Sequence, residues 1–209
     1  MLEPPTLDLR LVDAADIEPD VRRLLRPGVT MKDENGVDRM LPSYFYEVPS
    51  WDAALDVQLT RHFGLWEFID VDVREESRLR SFPRYVPCAI TLLAAHLQVI
   101  RSEVGRVVRI AANGGYRSPA HRQSRVASPH SWAAAANIYR IGDDWLDTRE
   151  KVEKYVQVAR SALSGVWVRP YGEEPGYAFD HLHIDLGFVI VEPRGRDASR
   201  PSGGGNAGA

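Results

Sequence analysis

Apolar residues recur at the spacing of an amphipathic helix in two stretches of the chain. The first stretch begins after Pro87 and ends at Gly105, a residue type that often terminates helices. Its apolar positions are Ile90, Leu93, Leu97, Ile100 and Val104. The second stretch spans residues 149–163, and its apolar positions are Val152, Tyr155, Val156, Ala159 and Leu163. Both patterns predict helices that bury one face in a core.

Polar and apolar residues alternate along residues 180–191, as expected for a strand whose side chains point to opposite faces in turn. The apolar face carries Leu182, Ile184 and Leu186. The other face carries His181, His183 and Asp185. Burying two neighbouring imidazoles is costly in free energy unless they bind a metal ion or take part in catalysis. A metal or catalytic site and a half-exposed strand with incidental histidines are both open interpretations of this segment alone.

Residues 135–141 are rich in alanine and fit either a strand or a short helix. In either conformation His130 and Asn137 are able to converge with His183. Two histidines and an oxygen ligand that leave a fourth position open are the layout of a catalytic zinc site. The spacing therefore indicates a candidate metal centre held by three side chains.

Four shorter segments predict strands or turns. Residues 6–12 alternate weakly and suggest an edge strand, and Asn35-Gly36 favours a hairpin turn. Residues 107–112 and 166–168 are two further predicted strands.

Several polar positions are interpreted as surface features. The charged run at residues 70–80 is expected to form a solvated face, and His121 is expected to lie in a solvated loop. Asp143, Asp144 and Asp147 form an acidic segment that is expected to cap the second helix.

The composition is that of an ordinary globular protein. The 209 residues are 44% hydrophobic and 26% charged, and a chain of this length can bury a sizeable core. A formal net charge of −3 argues against a nucleic-acid-binding surface. The single cysteine, Cys88, excludes an internal disulfide. No run approaches the length of about eighteen apolar residues that a membrane-spanning helix needs.

The chain divides into three parts on composition. Residues 1–50 are irregular and are expected to be an N-terminal extension that packs on a main domain at residues 51–192. Residues 193–209 are rich in glycine, serine and arginine and are expected to be disordered. The first residues lack the features of a signal peptide, so a cytoplasmic location is expected if Met1 is the native start. The sequence leaves the oligomeric state open.

Short motifs occur in a fixed order along the chain: Gly-Tyr-Arg-Ser-Pro at 115–119, Ser-x-His at 128–130, Ala-x-Asn at 135–137 and His-x-His-Ile-Asp at 181–185. With the segment HFGLWEF at 62–68, they resemble the M15 family of zinc D-alanyl-D-alanine carboxypeptidases over about residues 60–190. The resemblance implies an α+β fold, in which a small, mostly antiparallel sheet is flanked by helices. This is the M15/hedgehog-like zinc peptidase fold, and it implies one bound zinc ion.

The resemblance also implies the roles of individual residues. His130, Asn137 and His183 would hold the zinc ion, which lowers the pKa of a bound water to about 7. Arg117 would hold the carboxylate or carbonyl end of a short peptide or amide substrate during catalysis, a role that suits a planar guanidinium.

Two residues compete for the role of general base, His181 and Asp180. Strict alternation along a strand places His181 on the metal face and Asp180 on the opposite one, which favours His181. A strand that starts only at His181 would free Asp180 to turn inward. Ser128 and Trp132, which flank His130, are candidate substrate-binding residues, although Trp132 equally fits an ordinary packing role.

Two positions depart from the family pattern. Asn137 stands where the family has a ligand aspartate, and a neutral amide oxygen binds a divalent cation more weakly than a carboxylate. Ala133 stands where the family usually has glycine. The sequence leaves three explanations of Asn137 open: an introduced inactivating substitution, a natural change suited to another reaction, and a site that no longer binds metal.

The motifs and the substitution at position 137 lead to three functional hypotheses. The first is a zinc-dependent metallopeptidase that hydrolyses a short peptide or related amide. The second is a catalytically silent protein that keeps the pocket as a binding module. The third keeps the pocket for a different reaction, such as a cyclisation or amide rearrangement in biosynthesis.

Overall fold

The structure, a computed structural model, describes residues 9–173 and 178–192. These residues form six α-helices together with small antiparallel sheets, so the predicted α+β class is confirmed. The tail predicted at residues 193–209 lies outside the described residues, as does the start of the edge strand predicted at residues 6–12. The described part of that strand is found at Arg10–Asp13.

The α-helices are α1 (Pro19–Leu25), α2 (Trp51–Asp56), α3 (Trp66–Ile69), α4 (Ser77–Arg80), α5 (Ile90–Val104) and α6 (Arg149–Ala162). Two short 3-10 helices cover Ala14–Asp16 and Pro129–Trp132. In the part of the chain that the structure describes, none of these helices combines the length and apolar character needed to cross a membrane.

Helices α5 and α6 are the two that the hydrophobic periodicity predicts. Helix α5 ends at Gly105, whose left-handed φ of 61° suits glycine. Helix α6 begins after Thr148, whose side-chain oxygen accepts a hydrogen bond from the Lys151 N–H. The prediction that the acidic segment caps this helix is therefore wrong, because a neutral threonine supplies the capping oxygen.

The strands belong to four antiparallel sheets. One sheet contains β1 (Arg10–Asp13), β4 (Tyr44–Val48) and β7 (Arg84–Pro87). The central sheet contains β8 (Val108–Ile110), β9 (Ala135–Ile141), β10 (Asp144–Trp145), β11 (Trp167–Val168) and β12 (Leu182–Asp185). Two hairpins pair β2 (Thr30–Lys32) with β3 (Asp38–Met40), and β5 (Gln58–Thr60) with β6 (Phe63–Gly64).

Strand β9 organises the central sheet, because it pairs with β8, β10 and β12. Residues 135–141 are thus a strand rather than the short helix that the sequence also allowed. In the pairing of β9 with β12, Asn137 lies directly opposite His183. Strand β12 is shorter than the predicted segment. It ends at Asp185, whose carboxylate accepts the Gly187 N–H as the chain turns through a φ of 74°.

The main core lies between the central sheet and the two long helices. Helices α5 and α6 contact each other, and α6 also contacts β11 and β12. Ile138 of β9 and Leu182 and Ile184 of β12 are fully buried in this core. Burial of one face of each strand fixes the register, and therefore turns the intervening residues Asn137 and His183 to the opposite face.

The β2–β3 hairpin is attached to the domain beside the central sheet. The Ala127 N–H donates to the Lys32 carbonyl oxygen at 2.8 Å, and the Trp132 indole Nε1–H donates to the Met40 carbonyl oxygen at 2.9 Å. The Phe188 ring packs edge-on against Trp132 with ring centres 4.9 Å apart. These contacts place the hairpin turn next to the predicted site.

Candidate metal and active site

A cleft of about 740 Å³ is lined both by the central sheet and by the β2–β3 hairpin. It brings together six of the residues proposed from the sequence: Arg117, Ser128, His130, Asn137, His181 and His183. Asp180 and Trp132 are not among the residues that line the cleft.

His130 is held by the 3-10 helix Pro129–Trp132 and is buried. Its Nδ1–H donates to the Gly115 carbonyl oxygen at 2.8 Å, which leaves the lone pair on Nε2. Burial, followed by the positive charge of Arg117, lowers the pKa of His130 well below its usual value. The imidazole is therefore neutral near pH 7, the form that binds metal ions.

His183 projects from β12 and is also buried, with its ring centre 5.2 Å from that of His130. Its Nε2–H donates to the Asp185 carboxylate at 2.9 Å. A carboxylate on the far nitrogen is the usual partner of a metal-binding histidine, because it fixes the tautomer and the ring orientation. Burial lowers the pKa of His183, which also favours the neutral form.

The remaining nitrogen of His183, Nδ1, lies 2.8 Å from Oδ1 of Asn137. In the tautomer that Asp185 selects, both of these atoms are hydrogen-bond acceptors, so they repel each other unless a cation lies near both. A divalent metal ion bound by Nε2 of His130, Oδ1 of Asn137 and Nδ1 of His183 would remove this conflict. The three side chains thus fit a metal ion with nitrogen and oxygen ligands.

The conflict also has a solution without metal. If the Asn137 amide turns by half a rotation, its Nδ2–H donates to Nδ1 of His183. Among the described residues, no group of three or more histidine, cysteine, aspartate or glutamate side chains is placed to hold a metal ion. Asparagine is not one of these residue types, so His130, Asn137 and His183 do not form such a group.

His181 lies just before β12, lines the cleft and pairs with Asp180. Its Nδ1–H donates to Oδ1 of Asp180 at 2.6 Å, which leaves Nε2 as the nitrogen able to accept a proton. The Asp180 side chain is 63% exposed, against 23% for His181. The two candidate bases are therefore bonded to each other, with the imidazole on the cleft side.

Arg117 sits on a loop that is bonded to the rest of the site. Its backbone N–H donates to the His130 carbonyl oxygen at 3.2 Å, and its guanidinium donates to the Gln123 side chain at 2.8 Å. Burial lowers the pKa of Arg117 to about 10, with further lowering by the charges of Arg169 and Arg74. The group is still a cation near pH 7.

The loop before Arg117 passes close to other backbone. A Cβ on Gly115 would lie 2.2 Å from the Phe68 carbonyl oxygen, and a Cβ on Gly114 would lie 2.6 Å from the Ala111 carbonyl oxygen. Both positions therefore require glycine. This close approach brings the Gly115 carbonyl within reach of His130.

The charged run at residues 70–80 is mostly exposed or half-buried, in line with the solvated face that the sequence suggested, but one of its residues is a buried anchor for the same loop. Glu75 is only 5% exposed, and its carboxylate accepts hydrogen bonds from the Ser118 N–H at 2.9 Å and the Ser118 hydroxyl at 2.6 Å. The sequence does not reveal such a residue, because a buried glutamate cannot be distinguished from the exposed charged residues around it.

His121 is likewise not the solvated loop residue that the sequence suggested. It is 2% exposed, its Nε2–H donates to Oδ1 of Asn113 at 3.0 Å, and its Nδ1 accepts the Gln123 N–H at 3.1 Å. Burial lowers its pKa to about 4. The neutral ring thus braces the loop that carries Arg117 and Gln123.

The two candidate substrate-binding residues differ in their position relative to the cleft. Ser128 lines the cleft, whereas Trp132 is fully buried and lies in the cluster that attaches the hairpin. Its role is the packing role that the sequence left as the alternative, because the indole is directed to the Met40 carbonyl and the Phe188 ring. A substrate in the cleft does not reach a side chain with no exposed surface.

Ala133 has an unusual backbone conformation for a residue other than glycine. It ends the 3-10 helix with φ 54° and ψ 34°, in the left-handed region, and it is fully buried. An L-residue pays about 1–2 kcal/mol for this conformation. The chain therefore turns after His130 through a strained residue, in a conformation that glycine adopts without a steric penalty.

Sequence reasoning missed two other groups that line the cleft. Trp167 of β11 and Arg169, which follows it, flank His183; the Arg169 N–H donates to the His183 carbonyl oxygen at 3.1 Å. The turn of the β2–β3 hairpin contributes Glu34 and Asn35. The strand predicted at residues 166–168 was the available signal for Arg169, although its pairing partner was not predicted. Asn35-Gly36 predicted the hairpin turn itself, but nothing local indicated that this turn reaches the cleft.

Compared with protein-family models, with curated proteins and with solved structures, the chain has no significant match.

Proposed function

We propose that this protein is a zinc-dependent hydrolase of a short peptide or related amide, with an M15-like fold resembling that of D-alanyl-D-alanine carboxypeptidases. One observation carries the proposal. The rings of His130 and His183 lie 5.2 Å apart, each with one nitrogen bonded to a protein acceptor, and Nδ1 of His183 is left facing Oδ1 of Asn137. This arrangement supports a metal centre with two imidazoles and one oxygen ligand.

The proposed metal ligands are Nε2 of His130, Oδ1 of Asn137 and Nδ1 of His183. A zinc ion bound there would supply Lewis-acid activation of the amide carbonyl and of a water molecule. The surrounding residues hold the ligands in place, since Gly115 and Asp185 accept the far N–H groups of the two imidazoles. Asn137 contributes no charge, so its amide makes the site more positive than an aspartate would.

His181 is the proposed general base. Its Nδ1–H is bonded to the Asp180 carboxylate, so Nε2 takes the proton from the attacking water and returns it to the leaving amine. Asp180 then orients the imidazole and stabilises its protonated form, without touching the substrate itself. This division assigns a role to each of the two residues that compete for the base in the sequence.

Arg117 is proposed to bind the carbonyl oxygen of the scissile amide. Its guanidinium lines the cleft, is largely buried, and forms no ion pair with a carboxylate among the described residues. A cation in a partly dehydrated cleft stabilises the negative charge that develops on that oxygen. The bond from its backbone to His130 keeps it in register with the metal ligands.

A catalytically silent binding module is the second candidate, and the contact between Asn137 and His183 favours it. With the amide turned so that Nδ2–H faces Nδ1, the contact between the two side chains becomes an ordinary hydrogen bond that needs no metal. The cleft would then bind a ligand through the same arginine and polar residues.

Metal analysis combined with a hydrolysis assay separates the two candidates. The purified chain, Asn137→Asp and His183→Ala would be analysed for zinc and assayed on dipeptides that end in a D-amino acid. The hydrolase predicts near-stoichiometric zinc and turnover in the wild-type chain, and loss of both in His183→Ala. Zinc and turnover only in Asn137→Asp would identify a silenced enzyme. Neither metal nor turnover in any of the three would support the binding module.

A further inference from the structure

A second cleft, of about 470 Å³, is formed by α3, β8, the loop that follows β8, and β9. We call it the α3 cleft, and we call the cleft around His130 and His183 the histidine cleft. The two clefts have no lining residue in common, so a ligand in the α3 cleft is separate from the proposed substrate. Five side chains that carry polar groups line the α3 cleft: Trp66, Glu67, Asp70, Arg109 and Tyr139.

Two aromatic rings of the α3 cleft are supported by packing against their neighbours. The indole of Trp66 packs on Gly64, where a Cβ would lie 2.8 Å from the indole Cδ1 and 2.9 Å from Nε1. The Tyr139 ring packs against Trp145, with ring centres 5.4 Å apart and planes tilted by 50°. Both residues are half-buried and line the cleft. Supported, partly exposed rings suit a ligand with an apolar face, because little conformational freedom is lost when it binds.

The polar groups of the α3 cleft are largely unused by the protein. The Glu67 carboxylate accepts the Gly64 N–H at 3.0 Å. In the part of the chain that the structure describes, the other four polar side chains of the cleft form no hydrogen bond with the protein, and none of the five forms an ion pair. Burial raises the pKa of Glu67, and the Gly64 hydrogen bond and the nearby charge of Arg109 oppose this rise. Donors and acceptors thus lie near each other without being paired.

The charges of the α3 cleft favour a neutral ligand. Its lining carries two carboxylates, Glu67 and Asp70, and one guanidinium, Arg109. An anion would meet the carboxylates and a cation would meet the guanidinium, so either would lose part of the attraction that it gains. A hydroxyl group both donates and accepts, and it is therefore able to bridge Arg109 to a carboxylate. Several hydroxyls around a ring with an apolar C–H face describe a sugar.

We propose that the α3 cleft is a binding site for a neutral saccharide. The C–H face of one sugar ring packs on the rings of Trp66 and Tyr139. The sugar hydroxyls accept hydrogen bonds from Arg109 and donate to the carboxylates of Glu67 and Asp70. The site goes beyond the proposed hydrolase and does not depend on it, because it uses neither the metal ligands nor any other residue of the histidine cleft.

The experiment titrates the chelator-treated full chain with three neutral trisaccharides that differ in linkage or in N-acetyl groups: cellotriose, maltotriose and chitotriose. The indole N–H signals of Trp66 and Trp167 are followed by NMR, since these residues line the α3 cleft and the histidine cleft respectively. Guanosine and tetramethylammonium are titrated in parallel, as a flat base and a cation that also bind aromatic rings.

Three variants are compared with the wild-type chain. Arg109→Gln removes the guanidinium, and Glu67→Gln removes a charge while keeping an oxygen for the Gly64 N–H. Arg160→Gln is the matched control, because it removes the charge of an exposed arginine of α6 that lines neither cleft. A preserved spectrum away from the α3 cleft shows that each variant is folded.

We expect at least one trisaccharide to shift the Trp66 signal with a Kd of about 1 mM or lower and to leave the Trp167 signal unshifted. Arg109→Gln should weaken this binding at least about tenfold, the loss expected for a charge-assisted hydrogen bond. Glu67→Gln should weaken it at least about threefold, because an amide oxygen is a weaker acceptor than a carboxylate. Arg160→Gln should bind as the wild-type chain does.

An unshifted Trp66 signal with all three sugars at about 10 mM would overturn the inference. So would tighter binding of guanosine or tetramethylammonium at this signal, since the cleft would then be a site for a nucleobase or a cation. Sugar binding that is unchanged in Arg109→Gln and Glu67→Gln, or that shifts Trp167 alone, would also contradict it. The titration uses metal-free protein, so hydrolysis can fail while sugar binding stands, and the reverse.

Discussion

The cleft has two walls of different construction. The wall formed by β9, β12 and the adjoining loops carries the histidines, and its polar side chains alternate with fully buried core residues such as Ile138 and Ile184. The other wall is the turn of the β2–β3 hairpin, a separate two-stranded sheet. We refer to them as the histidine wall and the hairpin wall.

The two walls are held by different forces. In the histidine wall, sheet pairing and core packing fix His183 opposite Asn137, so a shift of one residue would turn both side chains into the core. In the hairpin wall, the Asp33 carboxylate organises the turn by accepting the Asn35 and Val37 N–H groups. The candidate metal ligands therefore lie on the rigid scaffold, and the attached turn is the part that can vary without disturbing them.

The sharpest test of this difference compares one glycine from each wall. Gly115→Ala places a Cβ 2.2 Å from the Phe68 carbonyl oxygen, within rigid backbone, and we expect a loss of at least about 3 kcal/mol in unfolding free energy. Gly36→Ala in the hairpin turn meets no atom within 4 Å and retains only the strain of φ 78°. Its expected cost is about 1 kcal/mol. Denaturant unfolding measures both.

Equal losses in the two glycine variants would contradict the comparison, because they would mean that the histidine wall relaxes as easily as the hairpin. Loss of the His130–Gly115 hydrogen bond in Gly115→Ala should also be visible in the NMR signal of the His130 ring.

The second prediction concerns the carboxylate behind His183. Asp185→Asn keeps an oxygen for the Gly187 N–H but removes the charge that accepts Nε2–H of His183. Such partners typically contribute 10–100-fold to metal affinity, and we expect zinc binding to weaken by about that factor with the fold intact. Competition with a chromophoric chelator measures the change.

Glu34→Gln is the matched control for Asp185→Asn, since it removes one cleft carboxylate from the hairpin wall. Zinc affinity in Glu34→Gln should equal that of the wild-type chain. A comparable loss in both variants would show that the net charge of the cleft, rather than the bond to His183, governs metal affinity.

The difference between the walls also explains what the sequence could reveal. Periodicity located α5 and α6, and alternation placed Leu182 and Ile184 in the core, because these features depend on neighbours in the sequence. The grouping of His130, Asn137 and His183 followed from motif spacing. Glu34 is brought to the cleft by tertiary packing between segments far apart in sequence, and no local pattern encodes such a contact.

The burial of single polar residues was the other feature that the sequence did not predict. Glu75 and His121 look like surface residues because the chain around them is charged, yet each is buried with a complete set of partners. Arg169 follows a short strand and has no motif of its own. Its position beside His183 depends on the pairing of β11 with β12, which the sequence does not specify.

The third prediction uses pH to distinguish the walls. His121, beneath the Arg117 loop, has its pKa lowered to about 4 by burial, against 6.5 for a free histidine. The unfolded chain therefore binds a proton here that the folded chain does not, and stability falls as pH drops below 6.5. We expect the stability lost between pH 7 and pH 5 to be smaller by about 1 kcal/mol in His121→Gln, allowing for solvent screening.

Asp33 in the hairpin wall gives the opposite control for the pH experiment. Hydrogen bonding from the Val37 N–H, supported by Arg39, lowers the pKa of its carboxyl below 3.8. Its contribution is thus complete above pH 3.8 and is lost only as pH falls through the lower folded pKa. Asp33→Asn should leave the loss of stability between pH 7 and pH 5 unaltered. A different loss in this variant would contradict the attribution of the pH dependence in this range to His121.

The smallest expected effect is at Ala133, where the histidine wall itself contains a strained turn. Ala133→Gly relieves about 1–2 kcal/mol of left-handed strain at φ 54°. It also loses a buried methyl group, worth about 0.8 kcal/mol, and adds about 0.4–1 kcal/mol of unfolded-chain entropy. These terms nearly cancel, so we expect a change of under about 1 kcal/mol, or at most about 4 °C in Tm.

Ala133→Val is the control: a β-branched side chain at positive φ in a fully buried position should destabilise by more than about 2 kcal/mol. A large stabilisation by glycine would mean that the turn after His130 carries more strain than its dihedral angles indicate.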